Sequence, residues 1–101
     1  MAANEIHQND LTTFEIEVYD GDTLVDISGA TTKQIKFYDP TGTTTTKTAS
    51  FTTDGTDGKM DYTCVADDLD VVGTWQYQGY LVMPGFTGHT DIHRFQVYAN
   101  L

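Results

Sequence analysis

Hydrophobic and polar residues alternate along several short stretches of this chain, and the longest of these stretches covers residues 73–83. Successive side chains of a β-strand point to opposite faces, so residues of one parity share a face. One parity of this stretch holds the largest apolar load in the chain, in Trp75, Tyr77, Leu81 and Met83. The pattern predicts a long central strand that buries Trp75.

Several other stretches have the alternation or the β-branched content of strands. They cover residues 12–19, 24–28, 33–38, 43–52, 59–65 and 90–98. Turn signals separate the strands at Asp20-Gly21, at 39–42 and at Pro84-Gly85, and a loop is predicted at 86–89. Residues 66–70 are long enough for only a single helical turn. About seven antiparallel strands with frequent turns predict an all-β fold, an immunoglobulin-like β-sandwich.

The length of 101 residues fits one domain, and the sandwich is predicted over residues 11–101. Residues 1–10 are mostly polar. A segment with so little apolar content is predicted to be an extended, mobile arm that orders only against a partner.

The threonine-rich stretch at 43–52 has a distinct pattern. Thr43 to Thr46 are four consecutive β-branched residues, which are stiff and favour an extended chain. The stretch offers little to bury before Ala49 and Phe51. We therefore predict an edge strand with a solvated threonine face.

Composition narrows the functional classes. Fifteen acidic and five basic residues give a formal charge of −10, and such a surface repels phosphate, so no nucleic-acid partner is expected. No apolar run is long enough to cross a bilayer, and the N-terminus lacks the pattern of a signal peptide, so no membrane partner is expected either. The single cysteine, Cys64, lies on an apolar parity and is predicted to be a buried, inert thiol.

The sequence contains little that suggests catalysis. His7, His89 and His93 are the candidate general bases, and Asp91 shares a strand face with His93. No nucleophile motif, paired catalytic carboxylates or phosphate loop accompanies them. We predict no catalytic residues, no cofactor and no enzymatic activity, and interpret His93 as a surface histidine beside an aspartate.

Acidic turns raise the alternative of bound calcium, which prefers oxygen ligands in loops. The clusters are Asp20/Asp22, Asp54/Asp57 and Asp67/Asp68/Asp70. None has the spacing of a known calcium loop, and aspartate is also common in turns because its side chain bonds the nearby backbone. No metal site is predicted, and thermal melts with calcium and with chelator are expected to coincide.

Four motifs together resemble the immunoglobulin-like domain of bacteriophage baseplate upper proteins. They are Asp-Ile-Ser-Gly-Ala-Thr at 26–31, a Pro-Gly turn at 40–42, Asp-Gly-Lys-Met-x-Tyr at 57–62 and Leu-x-x-x-Gly-x-Trp at 69–75. The resemblance spans about residues 12–98. It implies a sandwich fold and a structural role in a phage particle. The chain lacks the additional domains of the larger baseplate proteins, so their docking of receptor-binding proteins is not implied.

Three functional classes follow. The first is a non-enzymatic virion component of the tail, baseplate or fibre region, with capsid decoration as an alternative. It would be made in the host bacterial cytoplasm, and its partners would be other virion proteins, with a homo-oligomer in the assembled particle as a further option. The second is a carbohydrate- or cell-surface-binding module with an aromatic platform of Trp75, Tyr80, Phe86 and Tyr98. The third is a small hydrolase, which needs a pocket around His93. The first class is favoured because it requires only a rigid sandwich with interactive edges and an arm.

Overall fold

The computed structural model of the chain describes residues 5–100, and all regular structure within them is β-strand. The eleven strands are β1 (Glu5–His7), β2 (Thr13–Glu17), β3 (Tyr19–Asp20), β4 (Thr23–Leu24), β5 (Thr32–Tyr38), β6 (Thr44–Thr48), β7 (Ser50–Phe51), β8 (Lys59–Thr63), β9 (Gly73–Met83), β10 (Phe86–His89) and β11 (His93–Tyr98). The prediction of an all-β fold is confirmed.

The largest sheet has six strands and is organised around β9. Its strand order is β1–β11–β9–β5–β6, and β10 also pairs with β9. One side of β9 pairs with β5 along most of its length, while the other side pairs first with β11 and then with β10. Thr90 bridges the gap between these two partners, since its backbone N–H donates to the Gly79 carbonyl at 3.0 Å. The predicted central strand is confirmed.

A second sheet of three strands has the order β2–β8–β7, and β3 pairs with β4 as a separate hairpin. The chain passes from the six-stranded sheet to the three-stranded sheet at Ala49, which lies between β6 and β7 and is buried. The predicted strand at 43–52 is therefore two strands in different sheets. Its first part, β6, forms the last strand of the six-stranded sheet, which confirms the predicted edge.

Side chains of the two sheets pack against each other to form one core. Phe14 of β2 contacts the rings of Phe37 and Phe95, with ring centroids 5.1 Å and 4.7 Å away. Trp75 is 4% exposed, and its Nε1–H donates to the Val71 carbonyl at 2.8 Å. The indole is thus buried with its polar atom satisfied, as a core tryptophan requires. The predicted core position of Trp75 is confirmed.

Gly79 lets the two sheets approach each other closely in the middle of β9. A Cβ atom at this position would lie 2.7 Å from the Met60 Cε and 3.1 Å from the Ile16 Cδ1. Met60 and Ile16 belong to the three-stranded sheet and are fully buried. A side chain on residue 79 would therefore push the sheets apart, which explains a glycine inside a long strand.

The N-terminal segment differs from its prediction. Within the described residues it is not a free arm, because β1 pairs in parallel with β11 and Ile6 is 4% exposed in the core. The backbone N–H of Asn9 also donates to the Leu69 carbonyl at 2.8 Å. The expectation of a mobile arm is wrong for residues 5–10, and its first four residues lie outside the described part. The parallel pairing also corrects the expectation that all strands are antiparallel.

Two further strand predictions are corrected. Residues 86–89 form β10 rather than a loop, because β9 is longer than β11 and offers Tyr80 to Met83 for pairing across the two-residue turn at 84–85. The strand expected at 24–28 ends at Leu24. Asp26 turns the chain there, since its Oδ1 accepts from the Ser28 N–H at 2.9 Å and from the Ser28 hydroxyl at 2.7 Å.

Candidate functional site

The open edge of β6 is the first element of the candidate site. In an antiparallel pair, residues that exchange backbone hydrogen bonds alternate with residues whose N–H and C=O groups point away from the partner. The Ala49 N–H donates to the Lys33 carbonyl at 2.9 Å, and the Asp39 N–H donates to the Thr43 carbonyl at 3.0 Å. These two bonds fix the phase of the β5–β6 ladder at both of its ends.

The register then identifies the backbone groups that face solvent. Thr45 and Lys47 lie opposite Phe37 and Ile35, in the same phase as the bonded pairs at the ends of the ladder. The backbone N–H and C=O groups of Thr44, Thr46 and Thr48 therefore point away from β5, towards the open edge. All three threonines are exposed. The edge thus presents three regularly spaced donor and acceptor pairs.

A cleft of about 340 Å³ lies under the inner face of β6. Aromatic rings of Phe37, Tyr62 and Trp75 contribute to its wall. Four carboxylates and one ammonium group also line it, those of Asp39, Asp67, Asp68, Asp70 and Lys47. Thr45 and Lys47 connect the cleft to the edge, because they lie on the inward parity of β6 opposite the buried Phe37 and Ile35.

A three-residue polar network organises the cleft. The Lys47 Nζ lies 3.1 Å from the Asp68 Oδ1, and the Tyr62 hydroxyl donates to the Asp68 Oδ2 at 2.6 Å. The Val65 backbone N–H donates to the same Oδ2 at 2.9 Å. The Asp68 side chain is only 12% exposed, so its charge depends on these partners.

The network shifts the pKa values of Asp68 and Tyr62 in opposite directions. Burial alone would raise the pKa of Asp68, but hydrogen bonds from Tyr62, Val65 and Lys47 hold it below its ordinary value. Burial and the neighbouring Asp68 carboxylate raise the pKa of Tyr62 to about 12. Burial also raises the pKa of the Cys64 thiol to about 11, and Cys64 is 3% exposed, which confirms its predicted burial.

The raised pKa of Tyr62 gives a testable pH dependence. Because the folded pKa of about 12 exceeds the ordinary value of 10.0, the protonated hydroxyl stabilises the fold fully below pH 10. This contribution is lost as the pH rises through 12. Tyr62→Phe is expected to cost about 1 kcal/mol at pH 8, and the difference from the wild type should shrink between pH 10 and 12. Urea unfolding across this range measures it, with Tyr38→Phe as an exposed control; a difference that stays constant with pH contradicts the bond.

Asp67 and Asp70 complete the rim of the cleft, and both side chains are exposed. Asp67 has a φ of 74°, an unusual backbone conformation for a residue other than glycine. The fourth carboxylate, Asp39, is already engaged in its own turn, where its Oδ1 accepts from the Thr41 and Thr43 backbone N–H groups. Asp67 and Asp70 are therefore the two carboxylates on the rim that can bind a positively charged group.

The histidine candidates lie elsewhere. His89, His93 and Asp91 line a separate cleft of about 340 Å³ together with Glu15 and Glu17. The His93 ring stacks on Tyr77 with centroids 5.1 Å apart, and no hydrogen bond to Asp91 is found among the described residues. The sequence could not reveal Glu15 and Glu17 as neighbours, because they come from the other sheet. His7 lies away from both and packs against Tyr98.

The four residues of the predicted aromatic platform do not share a surface. Trp75 is buried in the core, whereas Phe86 and Tyr98 are 42% and 44% exposed. Tyr80 and Tyr98 lie on the outer parity of the large sheet, but Val97 already pairs with Gly73, the first residue of β9. Tyr98 is therefore about eight residues from Tyr80 along β9, roughly 26 Å at the rise of a strand.

The acidic turn at Asp54 and Asp57 uses its carboxylates locally. The Asp54 Oδ1 accepts from the Thr56 N–H at 3.0 Å and from its hydroxyl at 2.6 Å, and Asp57 bonds the Lys59 N–H and the Thr53 hydroxyl. These bonds hold the pKa of Asp54 below its ordinary value. No group of three or more histidine, cysteine or acidic side chains suited to a metal ion occurs within residues 5–100.

The comparisons with known proteins give no identification. No protein-family model matches the chain, and no curated protein matches its sequence. In the part of the chain that the structure describes, no helix is long and apolar enough to span a membrane. The features that bear on function are therefore the motifs of the sequence and the geometry of the edge and cleft.

Proposed function

We propose that this protein is a non-enzymatic structural component of a bacteriophage particle, in its tail, baseplate or fibre region. In this proposal the fold is an immunoglobulin-like sandwich that joins its neighbours through the open edge of β6. The resemblance of residues 12–98 to baseplate immunoglobulin-like domains supports the virion role. The observation that carries the mode of assembly is the row of outward backbone groups on Thr44, Thr46 and Thr48.

An open edge of this kind is suited to strand addition. Unpaired backbone groups of an edge strand are a template for another chain, and proteins usually protect them with charges, prolines or bulges. β6 has five residues, no proline and a single charge, on Lys47, whose side chain points inward to Asp68. The edge is therefore unprotected on the side that a neighbouring strand would approach.

Proline substitution tests this mode of assembly. Thr46→Pro removes an N–H that faces solvent, and prolines are tolerated at such edge positions, so the domain should stay folded. The removed donor and the added ring should prevent a neighbouring strand from pairing. Thr45→Pro is the matched control, because it removes an N–H that bonds β5 and should destabilise the fold. The measurement is circular dichroism of both variants, followed by incorporation into phage particles by complementation.

Two results would contradict the proposal. Purified virions that contain none of this protein would remove the virion role. A folded Thr46→Pro variant that incorporates as well as the wild type would remove the edge from assembly while leaving the virion role intact.

Capsid decoration is an alternative location, since the same edge would serve there. Electron microscopy of labelled particles distinguishes the capsid from the tail, baseplate or fibre region. The proposed partners are other virion proteins, met after synthesis in the host bacterial cytoplasm.

A further inference from the structure

A strand added to β6 would contact the cleft with its side chains as well as pairing with the backbone of the edge. Side chains of a paired strand alternate between the two faces of the sheet. A residue opposite Thr46 would place its side chain on the outer face, beside the exposed threonines. A residue opposite Thr45 or Lys47 would place its side chain on the inner face, where the cleft of about 340 Å³ opens. The cleft is therefore positioned to contact alternate side chains of the partner strand.

The chemistry of the cleft favours one class of side chain. Lys47 is the only cation among its lining residues, and its ammonium lies 3.1 Å from Asp68, so its charge is largely compensated. Asp67 and Asp70 are exposed on the rim, and no cation of residues 5–100 pairs with them. Of the three aromatic rings in the wall, those of Phe37 and Trp75 are buried, and the partly buried ring of Tyr62 suits the aliphatic stem of a long side chain. An arginine or lysine satisfies both parts of the cleft, whereas an acidic side chain would be repelled.

We infer that the occupant of this edge is an extended segment of another virion protein that carries an arginine or lysine at an inward position. This inference depends on the proposed function, since it names the partner of the same edge. Both local and global charge support it, because the cleft has an excess of carboxylates and the whole chain has a formal charge of −10. The same global charge disfavours a second copy of this chain as the occupant. Backbone pairing would supply affinity, and the cleft would supply specificity.

Synthetic peptides bound to the full-length protein test the inference. Three heptapeptides of alternating threonine and valine would carry arginine, glutamate or leucine at the central position. Isothermal titration calorimetry measures the affinity of each peptide directly. At low salt the arginine peptide is expected to bind about tenfold or more tightly than the glutamate peptide. High salt should reduce this preference, because exposed charges are screened.

Variants of the protein separate the two parts of the inference. Asp67→Asn combined with Asp70→Asn should weaken the preference for arginine over glutamate without preventing binding of the leucine peptide. Thr46→Pro should prevent binding of all three peptides. Analytical ultracentrifugation of the wild type without peptide is the control for self-association.

The possible failures are distinguishable. Equal binding of the arginine and glutamate peptides, lost in Thr46→Pro, would overturn the basic partner but leave strand addition in place. Arginine binding that survives Thr46→Pro would overturn strand addition at this cleft. No binding of the arginine peptide at millimolar concentration would overturn the inference, while virion incorporation would still test the proposed function separately. A dimer that Thr46→Pro abolishes would identify a second copy as the occupant instead.

Discussion

Replacing Trp75 by alanine is expected to lower the free energy of unfolding by about 3–5 kcal/mol, the usual cost of removing a large aromatic side chain from a core. Trp75 is 4% exposed, stacks on Phe95 with ring centroids 5.9 Å apart and donates its Nε1–H to the Val71 carbonyl. A domain of this size has a total stability of about 5–15 kcal/mol. The variant should therefore lose a large part of its stability, as urea unfolding followed by circular dichroism would show.

Two further variants make this result specific to burial. Trp75→Phe keeps most of the apolar contact and should lose clearly less stability than Trp75→Ala. Tyr98→Ala removes an aromatic ring that is 44% exposed, so it should cost much less than the loss of Trp75. An unchanged melting temperature in Trp75→Ala would place the indole outside the core. That result would restore the hypothesis of an aromatic binding platform.

Alternation along the sequence predicted most of the core, because the period of a strand is a local property. Phe14, Ile16 and Val18 are all buried, as are Ile35 and Phe37, and each set was predicted from parity alone. Turn residues were equally informative. Gly21 and Gly85 both have positive φ values, at the turns that Asp20-Gly21 and Pro84-Gly85 predicted.

Pairing between distant segments was not predictable in the same way. β10 forms because β9 continues beyond the end of β11, and neither length is visible within residues 86–89 themselves. β1 joins the sheet because β11 has a free side next to Val97, which lies opposite Ile6. A polar segment with one isoleucine has no local signal for such pairing, since the stabilising contacts come from the far end of the chain.

The candidate site was predictable in part. The threonine run indicated the edge, because β-branched residues with nothing to bury favour a strand with one solvated side. The cleft was not predictable, since Lys47, Tyr62 and Asp68 come from three separate segments. The sequence singled out Asp67, Asp68 and Asp70 as an acidic turn, with bound calcium as an alternative that their spacing did not support. In the structure Asp68 pairs with Lys47, and Asp67 and Asp70 line the same cleft.

Replacing Ile6 in the N-terminal segment by alanine is expected to lower the free energy of unfolding substantially. Ile6 is 4% exposed and lies in the core opposite Val97, so truncation should cost about 2–5 kcal/mol. Deleting residues 1–10 should cost more, because it also removes the backbone bonds from Gln8 to Tyr98 and from Asn9 to Leu69. The interpretation of residues 1–10 as a mobile arm predicts instead that the domain stays folded without them.

A matched variant decides between the two views of this segment. Leu11→Ala removes a similar apolar side chain that is 67% exposed, so it should change the free energy of unfolding by about 0.5 kcal/mol or less. If Ile6→Ala is as mild as Leu11→Ala, the segment does not dock in solution and the hypothesis of a free arm returns. If Ile6→Ala is severe, β1 covers one end of the large sheet. β1 and β6 would then be the two end strands of the described sheet, and β6 would be the better site for strand addition because it has five residues against the three of β1.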